Sequence, residues 1–214
     1  MIKASYTHYE LEFKTPVGTS RGEMSHRDSW FIFLWDDEEK NPKPGIGECA
    51  PLPGLSKDKI PSINKLLKKF QKSPEEKEKW LGSNTNKFPA VKAGIEMAYI
   101  DYEMGGNRIL FPSDFTERKD YIPINGLIWM GDPEFMREQI DEKLDQGFKC
   151  IKLKIGAKNF DEELKLIEYI RERYDQNEVS IRVDANGAYN INEAIEVTEQ
   201  LAKYEVHSIE QPLQ

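Results

Sequence analysis

Three short segments carry the side chains best suited to chemistry: Ile151-Lys152-Leu153-Lys154-Ile155-Gly156, Ile181-Arg182-Val183-Asp184-Ala185-Asn186-Gly187 and Ser208-Ile209-Glu210-Gln211-Pro212. Each alternates apolar and polar residues with period two, as a β-strand does when its side chains point to opposite faces. Lys152 and Lys154 share one face, against Ile151, Leu153 and Ile155 on the other. Arg182 and Asp184 alternate with Ile181 and Val183 in the same way, and Glu210 lies opposite Ile209. On neighbouring strands these lysines and carboxylates would project toward one point. Both faces of a strand in a covered parallel sheet are buried, and buried ammonium groups are costly unless anions are near. Two outcomes fit the pattern, a buried salt-bridge cluster or a site. Carboxylates are hard oxygen ligands, and with no His or Cys on these strand ends Mg²⁺ suits them better than Zn²⁺. A lysine beside a divalent cation has its ammonium form disfavoured by like charge, so it can take up a proton.

The elements that must hold these residues follow from periodicity. From residue 121 onward the pattern is strand 121–127, helix 132–146, strand 150–155, helix 160–174, strand 179–184, helix 192–204 and a strand from 207 to 210. Pro133 marks the first turn of one helix, Gly147 follows its end, and Asn190 or Asn192 caps the last. Alternation of this kind, repeating about every 28 residues, implies a parallel sheet with helical crossovers. In an α/β barrel the active site lies at the C-terminal strand ends, where the three segments stop. Eight such units would need roughly 225 residues, whereas 94 run from 121 to 214. The expectation is therefore the first half of a TIM-type barrel, truncated after its fourth strand.

The first 120 residues read differently. Alternation over 3–15, an aromatic and β-branched run at 28–35 and a short run at 45–49 predict a three-stranded antiparallel meander, with loops at 15–22 and 50–56. Helices are expected over 57–72, 74–81 and 89–104. The last carries small and apolar residues on most faces, ends at Gly105-Gly106 and leads into a connection over 107–120. The division is thus an α+β domain at 1–120 and a barrel domain at 121–214.

Composition excludes several classes. With 30 Lys+Arg against 38 Asp+Glu the net charge is −8, and the lysines are scattered along the chain, which argues against a nucleic-acid partner. No apolar run approaches a membrane span, and the first residues lack a signal-peptide core, so no membrane partner is expected. Cys49 and Cys150 are too few and too far apart for a zinc cluster and read as apolar thiols in a reducing, cytoplasmic compartment.

The sequence resembles the enolase superfamily, in its muconate-lactonizing-enzyme subgroup. The resemblance rests on Lys152-Leu153-Lys154, Arg182-Val183-Asp184-Ala185-Asn186-Gly187 and Ile209-Glu210-Gln211-Pro212 together, and extends to an N-terminal half like the family's capping domain. It implies Mg²⁺ as cofactor with Asp184 and Glu210 as two of three carboxylate ligands, Lys154 as the acid/base lysine and Lys152 as its electrostatic neighbour. It also implies a third carboxylate on a fifth strand and an opposing lysine on a sixth, both beyond Gln214, so the expectation is that these 214 residues alone do not complete a site. Arg182 is expected to meet the substrate or the cluster's carboxylates, and Asn186 to supply a supporting hydrogen bond.

Within the subgroup, the segment from Gly45 to Ser56, GIGECAPLPGLS, is similar to that of the o-succinylbenzoate synthases, as is Ile124-Asn125-Gly126-Leu127. Capping-domain loops close over the substrate in this family, which puts Leu52 and Gly54 among the substrate-binding candidates. The implied reaction is Mg²⁺-dependent syn elimination of water from 2-succinyl-6-hydroxy-2,4-cyclohexadiene-1-carboxylate through an enediolate, a step of menaquinone biosynthesis. Dipeptide epimerases and N-acylamino acid racemases of the same subgroup are the alternative, and a non-catalytic half-barrel fragment is the alternative of another class. The partner is a small carboxylate, and the sequence does not indicate an oligomeric state.

Overall fold

The computed structural model describes residues 1–19, 22–156 and 159–213. The chain divides into two compact units, one of Met1–Val17 with Met24–Tyr121, the other of Gly18–Glu23 with Ile122–Gln214.

The first unit has strands β1 (Ile2–Thr19), β2 (Gly22–Asp36) and β3 (Gly45–Cys49) in the order β1-β2-β3, with β2 and β3 antiparallel. The loop expected over 15–22 is instead extended backbone up to Thr19 and again from Gly22. Its remaining residues, 20 and 21, lie outside the described residues. Pro16 and Gly18 suggested a break, but the pairing of two long strands overrides that local preference.

Helices α1 (Ile60–Phe70), α2 (Lys77–Leu81) and α3 (Pro89–Glu103) follow. The small residues of α3 allow close packing: a Cβ on Gly47 would stand 1.8 Å from the Gly94 carbonyl oxygen, and one on Gly45 would stand 2.2 Å from that of Ala98. Phe88, at the N-cap of α3, offers no side-chain bond. The buried Asp58 carboxylate instead accepts from the Ala90 and Val91 N–H groups, both at 3.1 Å. At the other end Asp101, fully buried, accepts from Ile46 N at 2.8 Å, from Arg108 N at 2.7 Å and from the Arg108 guanidinium. Trp30, Phe70, Trp80 and Tyr99 fill the core between sheet and helices.

The second unit is a four-stranded parallel sheet, β4 (Gly126–Ile128), β5 (Cys150–Lys154), β6 (Ser180–Asp184) and β7 (Ser208–Glu210), ordered as in the chain. Helices α4 (Pro133–Asp145), α5 (Phe160–Arg171) and α6 (Ile191–Lys203) connect them. Asn190, not Asn192, caps α6, in a reciprocal capping box with Glu193. β4 is shorter than the expected 121–127: Tyr121, Ile122 and Ile124 precede it and are exposed. Their β-branched and aromatic character suits a strand, but they lack a paired neighbour.

Ile151, Leu153, Ile181 and Val183 are buried among Ile140, Ile167, Ile170 and Leu201 of the helices. The expectation that both strand faces are buried holds only for this helix-covered face. On the other, Lys152 and Lys154 are half-buried, while Arg182, Ser208 and Glu210 are exposed. Among the described residues no helix is long and apolar enough to cross a membrane.

Candidate active site

Strand register aligns the chemistry. Lys154 pairs with Asp184 and Asp184 with Glu210, forming one row across three strands. Lys152, Arg182 and Ser208 form the row below. The parallel ladder, with the same period on each strand, brings residues far apart in sequence onto one face.

Asp184 is the buried member of the upper row. Its Oδ2 lies 3.4 Å from Lys154 Nζ and 3.7 Å from Lys152 Nζ, and its Oδ1 accepts from Asn186 N–H at 3.0 Å. Lys152 also hydrogen-bonds Glu210, and this bond, strengthened by the nearby Asp184 charge, holds its ammonium above the ordinary lysine value. Lys154 donates to Asn186 Oδ1. Asn186 therefore braces both the lysine and the carboxylate, and it does so from the left-handed region at φ 47°, where Asn is tolerated better than most side chains. The cluster is partly solvated, unlike the buried ion-pair knot that was one sequence-level outcome.

Below the row a cavity of about 240 Å³ is lined by Asn125, Lys152, Arg182, Val183, Ser208 and Glu210. Arg182 donates to Asn125 Oδ1 at 3.2 Å, and Cys150 Sγ donates to the same oxygen at 3.1 Å. Arg182 forms no ion pair among the described residues and lines the cavity together with the Glu210 carboxylate. Asn125 and Ser208 were not read as site residues. Ser208, two positions before Glu210 on a period-two strand, was legible in principle; Asn125 was not, since it precedes β4.

Six of the eight predicted site residues thus gather on one sheet face: Lys152, Lys154, Arg182, Asp184, Asn186 and Glu210. Leu52 and Gly54 lie in the first unit. Leu52 N–H donates to Ser56 Oγ at 2.9 Å, its carbonyl accepts from Leu55 and Ser56, and Gly54 turns the loop at φ 76°. Leu52 lines a separate cavity of about 230 Å³ with Asp28, Pro51, Pro53, Asp58 and Ile60.

Comparison with known proteins follows the same division. Residues 1–102 match the N-terminal domain of MenC, and residues 135–214 match the enolase C-terminal domain-like family. The chain is 37% identical to an o-succinylbenzoate synthase of Desulfotalea psychrophila over 99% of its own length and 65% of that relative's. An o-succinylbenzoate synthase of Listeria innocua is 27% identical over 98% of the chain and 57% of the relative. The crystal structure of MenC from D. psychrophila superposes with a TM-score of 0.81 at 33% identity, covering 99% of this chain and 64% of that one. A dipeptide epimerase from Enterococcus faecalis, solved with Mg and L-Leu-L-Tyr, shares the fold with a TM-score of 0.78 at 22% identity, over 100% of this chain and 61% of that one. The chain therefore spans somewhat under two thirds of the length of these relatives. A MenC-type N-terminal domain match thus stands ahead of a segment of the enolase C-terminal domain-like family.

Proposed function

We propose that the protein is a Mg²⁺-dependent o-succinylbenzoate synthase that dehydrates 2-succinyl-6-hydroxy-2,4-cyclohexadiene-1-carboxylate in menaquinone biosynthesis. The carrying observation is the cross-strand row Lys154–Asp184–Glu210, in a chain 37% identical to a synthase of that name. In this reading residues 1–120 are the capping domain, and residues 121–214 supply the first four strands and three helices of a TIM-type barrel. Two free cysteines, one fully buried, accord with a reducing, cytoplasmic setting.

The donor set fits a hard divalent cation: two carboxylates on adjacent strand ends, facing one side, with ammonium groups beside them. Asp184 and Glu210 would hold Mg²⁺. Once bound, the cation would stabilise negative charge developing on the substrate carboxylate as the α-proton leaves.

The remaining work falls to the chain's own side chains. Lys154 Nζ, as the free amine, takes the proton α to the ring carboxylate, and the electron pair delocalises as an enediolate. Collapse of that electron pair expels the ring hydroxyl and makes the ring aromatic. The same Nζ, now ammonium, returns its proton to the departing hydroxyl on the same face, so water is lost syn and the lysine is regenerated. Asn186 keeps Lys154 aimed, and Lys152 adds positive charge beside the reacting carboxylate. Arg182 offers a cation to the substrate across the cavity, and Leu52 and Gly54 supply the capping loop.

The test is incubation of the protein with Mg²⁺ and the cyclohexadiene substrate, following the aromatic product by absorbance. Parallel incubations with a dipeptide and an N-succinylamino acid in D₂O follow α-proton exchange. Dehydration with little exchange supports the synthase. Faster exchange than dehydration would replace it with an epimerase or racemase, and no turnover of any substrate with the expected strand-five carboxylate and strand-six lysine supplied would reduce these residues to a non-catalytic unit.

A further inference from the structure

Residues 57–72 hold six lysines, and most of them share one exposed helix face. Lys65, Lys68, Lys69 and Lys72 recur at i, i+3, i+4 and i+7 along α1 and its C-terminal continuation, and all four are exposed. Ile63, Leu67 and Phe70 occupy the opposite, buried face. Lys57 and Lys59, also exposed, precede the helix N-terminus. Among the described residues none of the six joins an ion pair. The one acid in the segment, Asp58, is buried and engaged by the N–H groups of α3. Six positive charges thus face solvent from 16 residues of a chain whose net charge is −8.

Helix energetics do not account for this array. Lys68 and Lys69 suit the negative end of the helix dipole, but Lys57 and Lys59 sit at its positive end, where α1 has no acidic residue and no side-chain cap. Lysines three and four apart repel one another. Lys57, Lys59 and the like-charge spacing thus bring the helix no stabilisation, and their charge is open to a ligand outside the chain.

We propose that this face is a peripheral docking surface for an anionic phospholipid bilayer. Clusters of four to eight basic residues on an amphipathic helix are suited to a negatively charged membrane surface. The composition is lysine alone: no arginine occurs between Arg27 and Arg108, so the face lacks the bidentate forks that read phosphates and bases in nucleic acid. It also lacks exposed aromatic rings for base stacking or for anchoring a protein partner. Its exposed apolar neighbours are aliphatic, Leu55 and Ile60, side chains that can enter the headgroup region. This departs from the expectation of no membrane partner, which rested on the lack of a spanning segment.

The test is cosedimentation of the protein with vesicles of equal parts phosphatidylglycerol and phosphatidylcholine, and with phosphatidylcholine alone. Binding is expected only to the anionic vesicles, with loss in about 0.5 M NaCl, where the screening length falls to a few ångströms. Replacing Lys65, Lys68, Lys69 and Lys72 with Gln should lower the partition coefficient at least about tenfold while leaving the circular dichroism spectrum unchanged. Should that variant not fold, Lys57→Gln/Lys59→Gln, outside the helix, should still give a several-fold loss. Equal binding to both vesicle types, no binding at low salt, tighter binding to duplex DNA than to anionic vesicles, or variants that bind like the wild type would each overturn the proposal.

Discussion

Asp184 meets three polar groups at once, the ammonium groups of Lys152 and Lys154 and the backbone N–H of Asn186. A divalent cation joining it with Glu210 must compete with those ammoniums, so metal affinity should respond to both lysines. We predict that Mn²⁺, used as a paramagnetic probe, broadens the NMR signals of Asp184, Glu210 and Lys152 before those of the other acidic group, Asp36, Asp37 and Glu38. Asp184→Asn should weaken that binding at least about tenfold, since a full anionic ligand is lost; first broadening at Asp36–Glu38 would contradict the assignment. Asn186→Ala should lower kcat by about tenfold with little change in KM, because it removes the side-chain bond to Lys154 and keeps the backbone N–H that Asp184 accepts. An unchanged kcat would remove Asn186 from the machinery. The Lys-x-Lys and Arg-x-Asp alternations made these residues legible in the sequence, since a period-two pattern assigns side chains to faces. Asn125 was not legible: its partners Arg182 and Cys150 are 57 and 25 residues away, and only folding brings them to it.

At the scale of elements, β3 lies against α3 through glycine. Gly47→Ala would push a methyl group onto the Gly94 carbonyl, where neither backbone can give way cheaply, and we predict a loss of about 1–3 kcal/mol or more in urea unfolding. Stability equal to the wild type would show that the strand and helix can separate freely. Cys49, at the end of β3, is fully buried, and that burial pushes its thiol up to about 12 from an ordinary 9.0. Because the folded value is the higher one, its contribution to stability is complete below about 9 and drains away as pH rises toward about 12. Iodoacetamide at pH 8 should therefore leave Cys49 unmodified in the folded chain and label it after unfolding, which peptide mass mapping reads directly. Labelling of Cys49 at equal rates in both states would contradict its burial. Strands β3, β5 and β6 and the three helices of the second unit lie within a few residues of their predicted bounds, because alternation, Asn and Asp caps and terminal glycines mark them locally. The errors fell where pairing decides the outcome: β1 and β2 run through a Pro/Gly segment, and β4 begins only at Gly126 although the strand-compatible Tyr121, Ile122 and Ile124 precede it.

For the whole molecule, two units of different grammar are joined in one acidic chain, and the functional reading depends on both. The second unit places Lys154, Asp184 and Glu210 in one row across three strands. The first carries the MenC-type N-terminal match, on which the choice of a synthase over an epimerase in the proposed function rests. Charge is distributed unevenly as well, with the unpaired lysines of α1 set against the net −8. The central claim is that Lys154 moves the proton in a Mg²⁺-dependent dehydration, and one measurement addresses it most directly. The initial rate of aromatic product formation from the cyclohexadiene substrate is compared, at saturating Mg²⁺, between the wild-type protein and Lys154→Ala. Loss of a general base predicts a fall of about 10²–10⁴-fold, with the thermal unfolding profile of the two proteins alike. A variant that turns over at a rate comparable to the wild type would contradict the account.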